Sequence, residues 1–156
     1  MHDAFDIALL NLVQRDDART AESLAGDVPL SPSAIARRLR RLRADGVIAR
    51  SIALLAPRLT ERRLCAAVHV QLAEHADDRG KAALLERIAS TEQIQFCFEL
   101  TGVQDLLLLF NCRDMDEFNR IAEAVLVADA TVRRYETSIV KKQLKFAPFV
   151  RLVAER

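Results

Sequence analysis

Five arginines fall within seven residues, Arg37, Arg38, Arg40, Arg41 and Arg43, with no acid among them. A guanidinium is a planar fork that pairs bidentately with a phosphate or a guanine edge. The same stretch opens with Ser31, Pro32 and Ser33. In a helix, a turn of about 100° per residue collects Ile35, Leu39 and Leu42 on one side. It turns Ser33, Arg37, Arg40 and Arg41 to the other, with Arg38 and Arg43 flanking. Hydroxyls then stand at the positive end of the helix, where a phosphate is stabilised, and arginines line its length. Such a face suits a helix entering the major groove of duplex DNA. The plain alternative is a solvated arginine face on a surface helix.

A second group is Thr101-Gly102-Val103-Gln104-Asp105. Gly102 permits positive φ and close backbone approach. Exposed amides there can receive a carboxylate, and Asp105 can hold an ammonium, which together would recognise a free α-amino acid. On the residues alone, a hairpin turn capped by Asp105 explains the same pattern. The remaining candidates carry less. His2, His69 and His75 have no partner at metal-ligand spacing, and Cys65, Cys97 and Cys112 form no C-x-x-C. Cys97 and Cys112 read as core or interface thiols, with no catalytic partner motif. Asp114, Asp116 and Glu117 read as helix-start chemistry. With four glycines in the chain there is no phosphate-cradling loop, so neither metal nor cofactor is expected.

Two sets of elements must position these groups. Asp3 is placed to cap a first helix, in which Phe5, Ala8, Leu9, Leu12 and Val13 form an apolar stripe. Thr20 caps a short second helix with Ala21, Leu24 and Ala25 inward. Residues 26–30 form a turn, Ser31 and Pro32 supply an N-cap and first helical residue, and Asp45-Gly46 ends the third helix near Ala44. Residues 47–56 read as a short extended or hairpin segment closed by Pro57. Three helices and a short β element in 60 residues describe a winged helix-turn-helix.

Beyond residue 60 the period changes. Residues 64–72 alternate as a strand, 79–91 are helical, and 94–100 alternate again. Residues 106–110 are apolar on both faces, which marks a central strand. A helix follows Asp114, with Met115, Phe118, Ile121, Ala122 and Val125 inward, and residues 131–140 form a last strand. The order β-α-β-β-α-β is ferredoxin-like, so the fold class is α+β with domains at 1–60 and 61–156. Two helices cover one face of such a sheet. The other, carrying Cys65, Ala67, His69, Cys97 and part of the third strand, is too apolar to stay wet, and predicts a sheet-to-sheet homodimer.

Composition bounds the rest. The chain has 156 residues, 51% hydrophobic and 29% charged, with a formal net charge of +1. That is an ordinary globular composition. No apolar run reaches membrane-helix length and the N-terminus lacks a basic secretory n-region, so the expected compartment is the cytoplasm. The near-neutral total hides a division: residues 1–60 hold nine arginines and seven acids, and all four lysines lie later.

The run from Leu30 through Leu42, followed by Asp45-Gly46-Val47-Ile48, resembles the recognition-helix signature of the Lrp/AsnC (leucine-responsive regulatory protein, feast/famine) family of transcriptional regulators. Thr101-Gly102-Val103-Gln104-Asp105 and Glu136-Thr137-Ser138-Ile139-Val140 resemble landmarks of that family's effector-binding and oligomerisation domain. The likeness spans essentially the whole chain. Two residues depart from it: Pro29 replaces the usual turn glycine, and Val103 stands where a polar residue is frequent. The resemblance implies a sequence-specific regulator of double-stranded DNA, contacting it through Ser31, Ser33, Arg37, Arg38, Arg40 and Arg41. It implies a small effector such as an amino acid at Thr101, Gly102, Val103, Gln104 and Asp105, with Thr137 and Ser138 as further contacts. It also implies dimers assembling to tetramers or octamers, and no catalysis. An apolar Val103 would suit an apolar or aromatic effector. Siroheme decarboxylases resemble the same two-part architecture, but the arginine-rich helix has no use in such an enzyme. A chromatin-organising protein with little sequence preference is a third class.

Overall fold

The computed structural model describes residues 2–74 and 77–154. Three helices come first: α1 (Ala4–Val13), α2 (Ala21–Leu24) and α3 (Pro32–Ala44). Each begins on the expected cap. Asp3 accepts from the Asp6 amide at 2.8 Å, Thr20 from Ser23 at 3.2 Å and Ser31 from Ala34 at 3.3 Å. Pro32 follows as the first residue of α3, where its missing N–H leaves no bond unmade. Gly46 closes α3 with φ of 72°, a conformation that glycine adopts without a Cβ clash. Leu9, Leu24, Ile35 and Leu42 are fully buried, with Leu10, Val13, Val28 and Leu39 around them. The apolar stripes of α1 and α3 thus face a common core.

Residues 49–56 adopt no regular secondary structure, so the expected short β element is not formed. Strand geometry needs a partner for its amides, and none of the described residues supplies one to this stretch. A 3-10 turn at Pro57–Leu59 follows.

The second half builds β1 (Leu64–Leu72), α4 (Asp78–Ser90), β2 (Ile94–Glu99), β3 (Leu106–Cys112), α5 (Met115–Ala122) and β4 (Val132–Ile139). A π-helical turn, Glu123–Val127, extends α5. Strand order is β2-β3-β1-β4, with every neighbouring pair antiparallel. The first and third strands are therefore central. Ala66, Val68 and Val70 of β1 and Leu106, Leu108, Phe110 and Cys112 of β3 form a core with Leu84 and Ile88 of α4 and Phe118, Ile121 and Ala122 of α5. The Phe110 and Phe118 rings meet edge to face, 5.2 Å between centroids.

One expectation about the sheet is corrected. Ile94 pairs with Phe110 but Phe96 pairs with Leu109, so Gln95 is an extra residue. A bulge of this kind reverses the facing of everything beyond it. Cys97 therefore lies level with Leu108 on the helix side, not on the open face. Phe96 and Phe98 join Leu107 and Leu109 on the open face instead, with their rings stacked 6.0 Å apart.

The chain divides into two compact units, residues 55–144 and a unit joining the chain up to Leu54 with the segment from Lys145 onward. The expected partition at residue 60 gave the whole C-terminus to the second half. The difference has a local cause. The Gln14 carboxamide donates to the Val150 carbonyl at 2.6 Å and accepts from its amide at 2.9 Å. Asn11 does the same with Leu152, both bonds at 2.9 Å. Asn11 and Gln14 are three residues apart on one helix face, and residues 150 and 152 share one side of an extended segment. Each carboxamide thus acts as the edge of a neighbouring strand would. Leu152 packs against the N-terminal core, and the Arg15 guanidinium lies 4.5 Å from the Phe149 ring centre. Asn11→Ala combined with Gln14→Ala removes all four bonds. It is expected to destabilise the N-terminal unit by about 2 kcal/mol after the freed tail regains entropy. Thermal unfolding followed by circular dichroism should show a fall of several degrees; an unchanged midpoint would mean the docked tail adds nothing net.

Candidate functional site

The residues expected to touch DNA lie along α3 and its cap. Ser31 and Ser33 are exposed and their hydroxyls lie 3.2 Å apart, with Ser31 also capping the helix. Ile35, Leu39 and Leu42 are buried, so the opposite side of α3 faces solvent. The arginines on it are not equivalent. Arg37 and Arg40 are exposed and, among the described residues, form no ion pair or hydrogen bond. Arg38 reaches back to α1, donating through Nη1 to Asp3 at 2.7 Å and to Asp6 at 2.8 Å. Arg41 donates to the other oxygen of Asp6 at 2.6 Å. Arg43 pairs with Asp17 at 2.6 Å, and Ser51 bonds the second Asp17 oxygen.

Asp6 is only 2% exposed, the one buried acid among the described residues. Such a group is stable as an anion only beside cations and donors. The hydrogen bonds that Arg38 donates to Asp6 and then Asp3 raise its pKa, and the Asp6 amide followed by Arg38 holds the Asp3 carboxyl below its usual range. Sequence reading missed Asp3 and Asp6 as partners of the arginine helix. Their spacing, one turn apart on α1 and matching Arg38 and Arg41 on α3, is the signal that was available.

The residues expected to hold an effector form the β2–β3 turn. Gly102 has φ of 131°, a conformation that side chains disfavour. Thr101, Gly102 and Val103 are exposed, Val103 at 74%. Asp105 is bound into the sheet: its amide donates to Val70 at 2.9 Å, its carbonyl accepts from Leu100 at 2.8 Å, and its carboxylate accepts from Leu72 at 2.7 Å. One carboxylate oxygen thus fastens the turn to the end of β1. The Gln104 Oε1 is buried without a hydrogen-bond partner. A buried acceptor in that state is destabilising unless something donates to it. Lys81 of α4 pairs with Glu99 at 2.5 Å beside the turn, and Glu99 raises its pKa. Neither Lys81 nor Glu99 was singled out from sequence.

Thr137 and Ser138 do not join this turn within one chain. They pair with Val68 and Ala67, whereas Asp105 bonds at Val70 and Leu72. The antiparallel register thus sets them about 13 and about 17 Å farther along β1 from Leu72, on its opposite edge.

The open sheet face carries Cys65, Ala67, His69 and Gln71 of β1, Leu107, Leu109 and Asn111 of β3, Phe96 and Phe98 of β2, and Arg134, Glu136 and Ser138 of β4. Phe96 and Phe98 are 44% and 48% exposed, and His69 lies beside Glu136. At the other end of the hairpin from the turn, a cleft of about 590 Å³ is lined by Arg63, Gln93, Asn111, Arg113 and Glu117. Several of its polar groups bond one another: Arg63 bonds Asn111, Gln93 bonds Glu117 at 3.3 Å, and Glu117 caps the Arg113 amide at 2.5 Å. Among the described residues no cluster of three acids, cysteines or histidines could hold a metal; His75 lies outside them. No helix among them is long and apolar enough to cross a membrane.

Comparison with known proteins matches two family models to the chain. Residues 3–43 match the AsnC-type helix-turn-helix domain and residues 65–148 the Lrp/AsnC ligand binding domain. The chain is 34% identical over 146 residues to an uncharacterized HTH-type transcriptional regulator of Sinorhizobium fredii, covering 92% of this chain and 84% of that one. It is 32% identical to the leucine-responsive regulatory protein of Haemophilus influenzae, covering 95% and 89%. Its fold is similar to a Neisseria meningitidis transcriptional regulator solved in complex with L-Met. The TM-score is 0.84 at 27% identity, over 98% of this chain and 97% of that one. With a DNA-binding helix-turn-helix and a ligand-binding domain both present and in order, the chain belongs to the Lrp/AsnC family of transcriptional regulators.

Proposed function

We propose that this regulator reads duplex DNA with α3 and acts as a cytoplasmic homo-oligomer, without catalysing a reaction. The observation that carries the reading is the pair of exposed arginines, Arg37 and Arg40, unpartnered among the described residues, on the side of α3 opposite its buried stripe. A guanidinium with no intramolecular partner is free for a guanine edge or a phosphate. Ser31 and Ser33 stand at the helix N-terminus, where hydroxyls and the helix dipole favour a phosphate. Arg38 and Arg41, also expected from sequence as contacts, are engaged by Asp3 and Asp6. Arg41, with its side chain 53% exposed, keeps the greater reach of the two. Arg37→Ala should weaken binding to a duplex selected by the wild-type protein by about 1–3 kcal/mol, read as a roughly 5- to 150-fold rise in Kd. Wild-type affinity for that variant would place the groove-facing side elsewhere. Equal wild-type affinity for selected and scrambled duplexes, with a steep salt slope, would favour a DNA-organising role.

Dimerisation is assigned to the open sheet face. Phe96, Phe98, Leu107 and Leu109 make a continuous apolar patch that a second copy can cover, with each copy's patch meeting its equivalent. Two recognition helices per dimer would then address successive major grooves, about 34 Å or a multiple apart. Leu107→Arg puts a charge in that patch, and sedimentation velocity should show the assembly falling toward monomer while the fold persists. An unchanged assembly would move the interface off this face.

The effector is assigned to the Thr101–Asp105 turn and is an amino acid, a class supported by the L-Met bound to the Neisseria relative. The exposed Gly102 backbone can receive the carboxylate, and the unpartnered Gln104 oxygen can accept from the ammonium. Thr137 and Ser138 belong to this site only through contributions from another copy, because one chain holds them apart from the turn. A ligand that binds the native state alone raises its stability, by about 2.7 kcal/mol at a hundredfold excess over Kd. A thermal-shift screen of free amino acids should therefore single out one or a few. A flat screen, in a protein that still binds DNA, would remove the effector from this reading.

A further inference from the structure

We propose that Asp6 is a positioning residue for DNA recognition, withholding Arg38 and Arg41 from the phosphate backbone so that Arg37 and Arg40 carry contact with the duplex. The proposal rests on α3 being the groove-entering helix. Its support is the geometry between α1 and α3. Each oxygen of the buried Asp6 carboxylate is taken by one arginine of α3, Oδ1 by Arg38 at 2.8 Å and Oδ2 by Arg41 at 2.6 Å. Asp3 adds a second acceptor for Arg38 at 2.7 Å, while the Arg38 guanidinium lies 5.6 Å from the centre of the Phe5 ring. The Arg38 side chain is consequently only 21% exposed. His2 is the remaining polar neighbour, its Nδ1 4.0 Å from Asp6.

Two acids and two arginines make this cluster formally neutral. Arg43 is neutralised separately by Asp17. Of the five clustered arginines, two remain uncompensated. Non-specific affinity for duplex DNA grows with every phosphate neutralised, whereas specificity grows only with contacts to base edges. A helix with five free guanidiniums would bind any duplex strongly. Tying three of them to acids lowers that background and leaves the two best-directed side chains to discriminate. Arg38 and Arg41 are spaced one turn apart, so the single carboxylate also sets the roll of α3 against α1.

The test uses the full-length protein, a duplex selected from a random pool by the wild type, and a scrambled duplex of the same composition. Binding is measured across a salt series. Asp6→Asn should release Arg41, with Arg38 still held by Asp3, steepening the slope of log K against log salt by about 0.9 for the one additional phosphate neutralised. Affinity for the scrambled duplex should rise about tenfold near 0.1 M salt, and the ratio of selected to scrambled affinity should fall by a similar factor. A purely structural role for Asp6 would lower the melting temperature without steepening the slope, and a folded Asp6→Asn protein with wild-type slope and ratio overturns the proposal. If that variant fails to fold, Arg38→Gln and Arg41→Gln decide the matter. Each should leave the wild-type slope unchanged, while Arg37→Gln and Arg40→Gln should each flatten it by about 0.9. Flattening by Arg38→Gln and Arg41→Gln would overturn the withholding. No flattening by Arg37→Gln or Arg40→Gln would instead overturn α3 as the groove helix.

Discussion

A carboxylate removed from water must be met by positive charge, and in this protein that requirement joins the first helix to the third. Asp6 sits inside the contact between α1 and α3, and the two guanidiniums that satisfy it come from successive turns of α3. The apolar contacts of Ile35, Leu39 and Leu42 hold the helices together but are tolerant of small rotations, since dispersion and burial have no strong direction. The ion pairs are directional. They select one roll of α3, and that roll decides which arginines look outward. The character of the solvent-facing side of α3 is in this sense a consequence of an acid on a different helix.

In the second unit the equivalent constraint is register. β1 pairs on one edge with β3 and on the other with β4, both antiparallel, so the position of every residue on those strands is fixed against it. The turn after β2 is fastened to the far end of β1 through Asp105, while the C-terminal end of β4 returns to its beginning. One extra residue, Gln95, then sorts the aromatic side chains of β2 onto the uncovered face. An apolar open face and a glycine-containing turn are thus held by the same central strand. The chain passes between the two units twice, after Leu54 and after Leu144. The segment that leaves β4 binds the carboxamides of Asn11 and Gln14, so the N-terminal unit includes residues that follow the whole second unit in sequence.

Much of this was legible in the chain. Caps at Asp3, Thr20, Ser31 and Asp114 act within a turn of their own helix, and the period of apolar residues distinguishes helices from strands by local geometry alone. The central position of β3 could be read because both its faces are apolar. The arginine cluster and the Thr101–Asp105 turn were also visible, since each is contiguous. What was not legible depends on partners distant in sequence. Arg38 and Arg37 are adjacent and chemically identical, yet one is clamped 32 residues away by Asp6 and the other has no partner among the described residues. No local signal marks Gln95 as the residue that the ladder leaves out, so Cys97 was expected on the face opposite to the one it occupies. The docking of Val150 and Leu152 on Gln14 and Asn11 likewise spans 136 and 141 residues.

The sequence by itself determined the helices and the strands of the sheet, the two-part architecture and the presence of a basic helix, because these follow from short-range sterics, capping and hydrophobic periodicity. Only the tertiary structure decided which of five arginines are available, which face of β2 is apolar and where the C-terminal tail belongs. Those outcomes are settled by pairing across the chain. Burial makes an unpaired charge or amide too unfavourable to persist, and the partner that relieves it is chosen by proximity in space.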